Sequence, residues 1–227
     1  MKTKRSSILT VALAATMIFG TAQIQAALTM TWGAGTDDSF VLASSTIPTR
    51  IDVPLNSAAV AGVFSSAVSK STFSAYTTAA QFLTGFTQLA SSTIGNGTSL
   101  AGTFIGGGSI ATGTDTYVGK QLYYIIGNAS TIAASTQLGV FTKSTWLIPT
   151  NPTGPTPSPF VTDINQVTND ASSILFGGYL AGGGMTISGS TRADAYQLAI
   201  IIPEPSSASL LALGVAGLVA LRVRRKS

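Results

Sequence analysis

The chain has 227 residues, 12 basic and 8 acidic side chains for a formal net charge of +4, and neither histidine nor cysteine. Ser-His-Asp and Cys-His catalysis, His- or Cys-ligated zinc and a disulfide framework are therefore excluded within it. The positive charge lies at the two ends: residues 27–202 hold five basic and seven acidic side chains, a net of −2, which leaves no basic footprint for nucleic acid.

Lys2, Lys4 and Arg5 precede an apolar run from Ile8 to Gly20, and Ile24-Gln25-Ala26 follows. A basic start, an apolar stretch and a small residue at the expected distance read as a secretory signal peptide over residues 1–26, cut by signal peptidase between Ala26 and Ala27. Beyond it, Leu28, Met30 and Trp32 alternate with threonines as a half-buried strand does. A turn with Asp37-Asp38 at its tip leads to a second strand over 40–44, and Pro48 and Pro54 bracket an extended piece over 49–53. Residues 58–74 fit helix and strand alike. Tyr76, Ala79, Ala80, Leu83, Phe86 and Ala90 recur at intervals of three and four, predicting an amphipathic helix that Gly95 ends.

Gly95-Asn96-Gly97 marks a turn before a strand over 99–105, which Gly106-Gly107-Gly108 is expected to break. Gln121 to Ile126 is apolar on both faces, so it predicts a central strand, with 137–142 as its antiparallel partner. Residues 146–148 form a short strand before Pro149, Pro152, Pro155, Pro157 and Pro159, which read as an exposed loop. Short strands over 173–176 and 185–188 follow. Residues 195–202 close the body, with Tyr196, Leu198, Ile200 and Ile202 on one face. Many short strands between Gly/Pro/Asn turns predict a mainly β fold for residues 27–202: an antiparallel β-sandwich or jelly-roll-like domain with about one helix.

The last segment, residues 203–227, has three parts in fixed order: Pro203-Glu204-Pro205, an uncharged apolar run ending at Leu221, and Arg222, Arg224, Arg225 and Lys226. A helix over 206–221 would rise about 24 Å, slightly short of a bilayer core of about 30 Å, and snorkelling basic side chains close that gap. The predicted C-terminal transmembrane helix thus ends in a basic stop, which the positive-inside rule assigns to the cytoplasm.

This tail resembles the PEP-CTERM sorting signal of exported bacterial proteins, over residues 203–227 only. The resemblance implies an exosortase as processing partner, with Pro203, Glu204 and Pro205 as the sorting motif. It also implies a Gram-negative bacterium that makes exopolysaccharide. The precursor would pass through the inner membrane, and the mature protein would reach the cell surface or extracellular matrix.

The body offers little chemistry. Its glycine runs lack dinucleotide- or phosphate-loop spacing. Asp37, Asp38, Asp163, Asn165 and Asp170 are hard oxygen ligands in a spacing that matches no calcium loop, and solvated turn acids are the favoured account. Trp32 and Trp146, with Tyr123 and Tyr124, are candidate sugar contacts if they face solvent, although aromatics in strands are more often core. The expectation is an exported envelope or matrix structural or interaction protein, not an enzyme, with no metal and no cofactor. A carbohydrate-binding module is the alternative, and an Asp-dependent hydrolase the remote one.

Overall fold

The computed structural model describes residues 28–34, 38–46, 49–97, 100–110, 115–150, 159–167, 169–181, 186–187, 190–191 and 194–201. Leu28–Ala34 forms β1, burying Leu28, Met30 and Trp32 and exposing Thr31, as its alternation requires. Asp38–Val41 is β2 and Ala58–Phe64 is β3. Lys70–Ser74 is α1, the one α-helix among the described residues, and Ala79–Leu83 is a 3-10 helix. The strands continue with β4 (Phe86–Thr93), β5 (Phe104–Ile110), β6 (Gln121–Gly127) and β7 (Gln137–Leu147). After them come β8 (Pro159–Asp163), β9 (Ile174–Phe176), β10 (Gly178–Ala181), β11 (Thr186–Ile187), β12 (Ser190–Thr191), β13 (Asp194–Gln197) and β14 (Ala199–Ile200). The fold is mainly β, and most pairings are antiparallel.

The largest sheet runs β14-β7-β6-β3-β4, with β9 also paired to β7. A second sheet runs β5-β1-β8 and a third β10-β13-β2. The inner faces of all three meet in one core: Met30 and Trp32 from β1, Phe40 from β2, Tyr124 from β6, Phe141 from β7 and Tyr196 from β13. The opposite face of the largest sheet is also covered. There Phe64, Tyr123, Ile125 and Val140 pack against Phe73 of α1, Phe82 of the 3-10 helix and Ile132. A strand covered on both sides has no use for alternation, and β6 buries Leu122, Tyr124 and Ile126 on one face and Tyr123 and Ile125 on the other. It lies between β3 and β7, central as its sequence implies.

Several expectations are corrected. The helix expected over 76–90 is a 3-10 turn followed by β4. The Gln81 side chain accepts N–H groups of Thr77 (2.7 Å) and Thr78 (2.9 Å), which winds the chain tightly. Gly85, at φ +69°, then turns it into a strand opposite β3. Of the residues at that interval, Tyr76, Ala79, Leu83 and Phe86 share one cluster across the change of structure, whereas Ala80 is exposed and Ala90 faces the other core. Ala58–Phe64, ambiguous by sequence, is an interior strand buried throughout.

The triple glycine does not break β5 but lies within it. The expected strands 137–142 and 146–148 are one strand, β7, with a bulge opposite Gln121–Tyr123. Gln121 Nε2 donates into that bulge, to Thr142 Oγ1 at 2.9 Å and Lys143 O at 2.5 Å. The closing strand is two. Asp194–Gln197 joins β2 and β10, Ala199–Ile200 joins β7, and Leu198 is the crossing point. Ile200 consequently points outward and Ile201 inward, reversing the expected face. Pro149 is exposed and Pro159 opens β8; the prolines between them, Met185, Ser188 and Ile202 lie outside the described residues.

Candidate functional site

Among the described residues, the candidates of the body hold structural posts. Both indoles sit in the core at 1% exposure, so neither presents a face to a sugar in solvent. Trp146 stacks on Tyr124 at 4.6 Å between ring centroids and donates Nε1–H to Gln166 Oε1 at 2.7 Å. Trp32 meets the rings of Phe104 and Tyr124 edge-on, at 4.8 and 5.0 Å. Tyr124 is fully buried, and its hydroxyl pairs with Thr162 Oγ1 of β8 at 2.5 Å. Burial raises its pKa far above the ordinary tyrosine value, despite that hydrogen bond. Burial also raises the pKa of Tyr123.

Asp163 and Asp170 cap turns. Asp163 Oδ1 accepts the Asn165 N–H at 3.2 Å and caps the 3-10 helix Ile164–Gln166. Asp170 Oδ1 accepts N–H groups of Ser172 and Ser173, each at 2.8 Å, and the Ser172 hydroxyl at 2.6 Å. Such Asx contacts are what a short acidic side chain does in a loop. Asp52 pairs with Arg50 at 2.5 Å, and the same guanidinium reaches the Ser39 hydroxyl. Asp37 and the Asp38 side chain lie outside the described residues. Among the described residues, no three acidic side chains gather as metal ligands would.

The hollows match that inventory. A groove of about 400 Å³ runs over β3 and β4, lined by Ala58, Val60, Gln88, Ser91, Thr93 and Thr131 among others, with no ionisable side chain. A smaller hollow of about 270 Å³ holds Lys120, Tyr123, Ser65 and Ser66, and Lys120 Nζ lies 5.8 Å from the Tyr117 ring centre. Neither contains a carboxylate to act as acid or base.

The remaining candidates belong to the two ends. Ala26, Ala27, Pro203, Glu204, Pro205, Arg222, Arg224, Arg225 and Lys226 all lie outside the described residues. Among the described residues, no helix is long and apolar enough to cross a membrane. What the structure does place is the point where the body meets the tail. Ile201, the last described residue, donates its N–H to Thr136 O at 3.0 Å and is buried. Sequence reasoning missed its neighbour Gln197, whose Nε2 donates to Ala43 O and Ser45 O, both at 2.9 Å, and ties the end of the body to the loop after β2. A lone glutamine between apolar residues near a strand end was the only cue.

Joined to that exit point, residues 202–226 match the PEP-CTERM protein-sorting motif. The chain is a β-rich body bearing at its C-terminus the sorting signal of exported proteins that an exosortase handles. No curated protein and no solved structure matches it.

Proposed function

We propose that the protein is an exported structural or interaction component of the cell envelope or extracellular matrix, not an enzyme, in a Gram-negative bacterium that makes exopolysaccharide. The observation that carries this is the sorting motif over 202–226, joined directly to a folded body. Signal peptidase removes residues 1–26. The 206–221 segment then spans the inner membrane as a helix, with Arg222, Arg224, Arg225 and Lys226 inside. The exosortase reads Pro203-Glu204-Pro205 and passes the body, residues 27–202, to the surface.

The body acts as an antiparallel β-sandwich, jelly-roll-like in its crossings, whose polar uncharged surface makes the contacts. Support comes from the shared core of its sheets and from a surface dominated by Ser, Thr, Gly and Asn. The absence of histidine and cysteine supports a non-catalytic role. Burial of Trp32 and Trp146 counts against sugar stacking by these rings, so exopolysaccharide contact falls to the Ser/Thr-rich faces.

Replacing Pro203-Glu204-Pro205 by three alanines tests the sorting step. Membrane insertion depends on the apolar run and the basic stop, whereas recognition depends on an extended, proline-fixed backbone with one acid. In a host with an exosortase, the variant is expected in the inner membrane at unprocessed mass, and the wild type at reduced mass on the surface. Equal mass in the same fraction would leave the tail as a plain anchor.

A further inference from the structure

The sorting motif starts with no spacer after the folded body. Ala199 and Ile200 of β14 lie opposite Leu138 and Gln137 of β7. Ile201 continues the pairing through its N–H to Thr136 O, and its side chain belongs to the cluster that holds Ile132, Leu138 and Val140. The motif match begins at residue 202, and Pro203 stands two positions after Ile201. One residue therefore separates Pro203 in sequence from a residue bound into the body.

An enzyme that takes up residues 203–205 as an added strand would also engage the backbone of the residues just before them. Those residues are 199–201, and β7 already holds them. Their hold is local. β14 has two ladder residues, lies at the edge of its sheet and leaves Ile200 58% exposed. Just upstream the chain is tied firmly: Leu198 N–H donates to Val41 O at 2.9 Å, and Gln197 binds the loop after β2. Short edge elements next to a firm anchor open first.

We propose that β14 is a detachable strap: residues 199–201 peel from β7, pivoting at Leu198, to deliver Pro203-Glu204-Pro205 to the sorting enzyme. They pair again once the tail is processed. The strap rests on the exosortase reading above. Its return seats Ile201 in the core and draws the new end of the body away from the enzyme, which favours product release.

A disulfide across the strap tests this. Ile201 N–H donates to Thr136 O while the Thr136 N–H goes to Asn128 Oδ1, and this phase of the ladder makes the neighbouring Ile200 and Gln137 a non-hydrogen-bonded pair. Cα atoms in such pairs are about 4.5 Å apart, within disulfide reach. The native chain has no cysteine, so Gln137→Cys with Ile200→Cys gives a single bridge in the oxidising exported compartment. In a host with an exosortase, the bridged full-length chain is expected to stay at precursor mass. The same variant reduced with dithiothreitol, and each single-cysteine variant, should mature like the wild type.

Maturation of the bridged form at the wild-type rate overturns the strap. If wild type and reduced variant both stay unprocessed, the exosortase reading itself falls and the strap falls with it. Hydrogen exchange on the purified full chain gives a reading independent of processing. The Ile201 amide should exchange at least about 100-fold faster than those of Tyr124 and Ile125, as a locally opening element does. Equal protection refutes peeling.

Discussion

Gly106 of β5 lies directly opposite Trp32 of β1, and a Cβ on that glycine would stand 2.5 Å from the indole Nε1. The glycine is a seat for the ring. A side chain on β5 at this position would push Trp32 out of its edge-on contacts with Phe104 and Tyr124. The next glycine differs: a Cβ at Gly107 would meet only Met30 O, at 3.9 Å.

The paired substitutions Gly106→Ala and Gly107→Ala separate these two cases. Overpacking a core costs about 1–3 kcal/mol, so Gly106→Ala should lower Tm by roughly 2–12 °C for a body of this size. Gly107→Ala should leave Tm within about 2 °C or raise it slightly, because it only restricts the unfolded chain. Thermal unfolding followed by circular dichroism checks both, and equal losses would mean that the ring does not require Gly106.

The Tyr124 hydroxyl and Thr162 Oγ1 join the central strand of one sheet to an edge strand of another, both buried. Tyr124→Phe leaves the threonine hydroxyl without its partner, at a cost of about 1–3 kcal/mol. Thr162→Val removes the same bond but leaves the tyrosine hydroxyl its contact with the Gly33 backbone, so it should cost less. The double variant should lose less than the sum, which a double-mutant cycle in urea measures.

The same tyrosine sets an alkaline limit. Its folded pKa is raised, while in the unfolded chain it titrates near the usual value of about 10. Below that pH both states are protonated and stability does not change. As pH climbs above about 10, the unfolded state releases the proton and the folded state does not, so stability falls. Tyr124→Phe should flatten that fall, and an unchanged slope from pH 9 to 11 would assign it to other groups.

Asp170 is expected to act as a turn cap and not as a metal ligand, since one carboxylate oxygen already accepts three hydrogen bonds. Asp170→Ala should cost about 0.5–2 kcal/mol, as loss of a side-chain cap does. The loss should be the same with calcium and with a chelator. A chelator that lowers the wild-type Tm by more than a few degrees would instead promote Asp163 and Asp170 to ligands.

The legible parts of the fold were those where local pattern and tertiary environment agree. Leu28–Trp32 alternates because β1 has one core face, and Gln121–Ile126 is apolar throughout because β6 has two. Where a residue answers to a distant partner, pattern fails. Gly106 reads as a breaker until Trp32 is placed across from it. Residues 76–90 keep a helical interval although a 3-10 turn and a strand share the burial. Ile200 and Ile201 exchange faces because the chain changes sheets at Leu198, which alternation cannot foresee. The tail was legible because a sorting signal is read as linear sequence, and its three parts lie in order from Pro203 to Lys226. The burial of Trp32 and Trp146 was not legible, because composition names aromatic residues without saying which way they point.

The parallel pairing of β2 with β13 brings the second strand of the body against nearly the last, and the Gln197 contact to Ala43 spans 154 residues. Pairings of such long sequence separation form slowly and late. A chain delivered across a membrane from its N-terminus therefore presents β2 early and must leave it without that neighbour while most of the body emerges. The body completes its third sheet only as residues 194–197 arrive, immediately ahead of the signal at 202. Until residues 194–197 are present, β2 lacks its parallel neighbour, so the third sheet cannot close before the stretch of chain just ahead of the signal has been delivered.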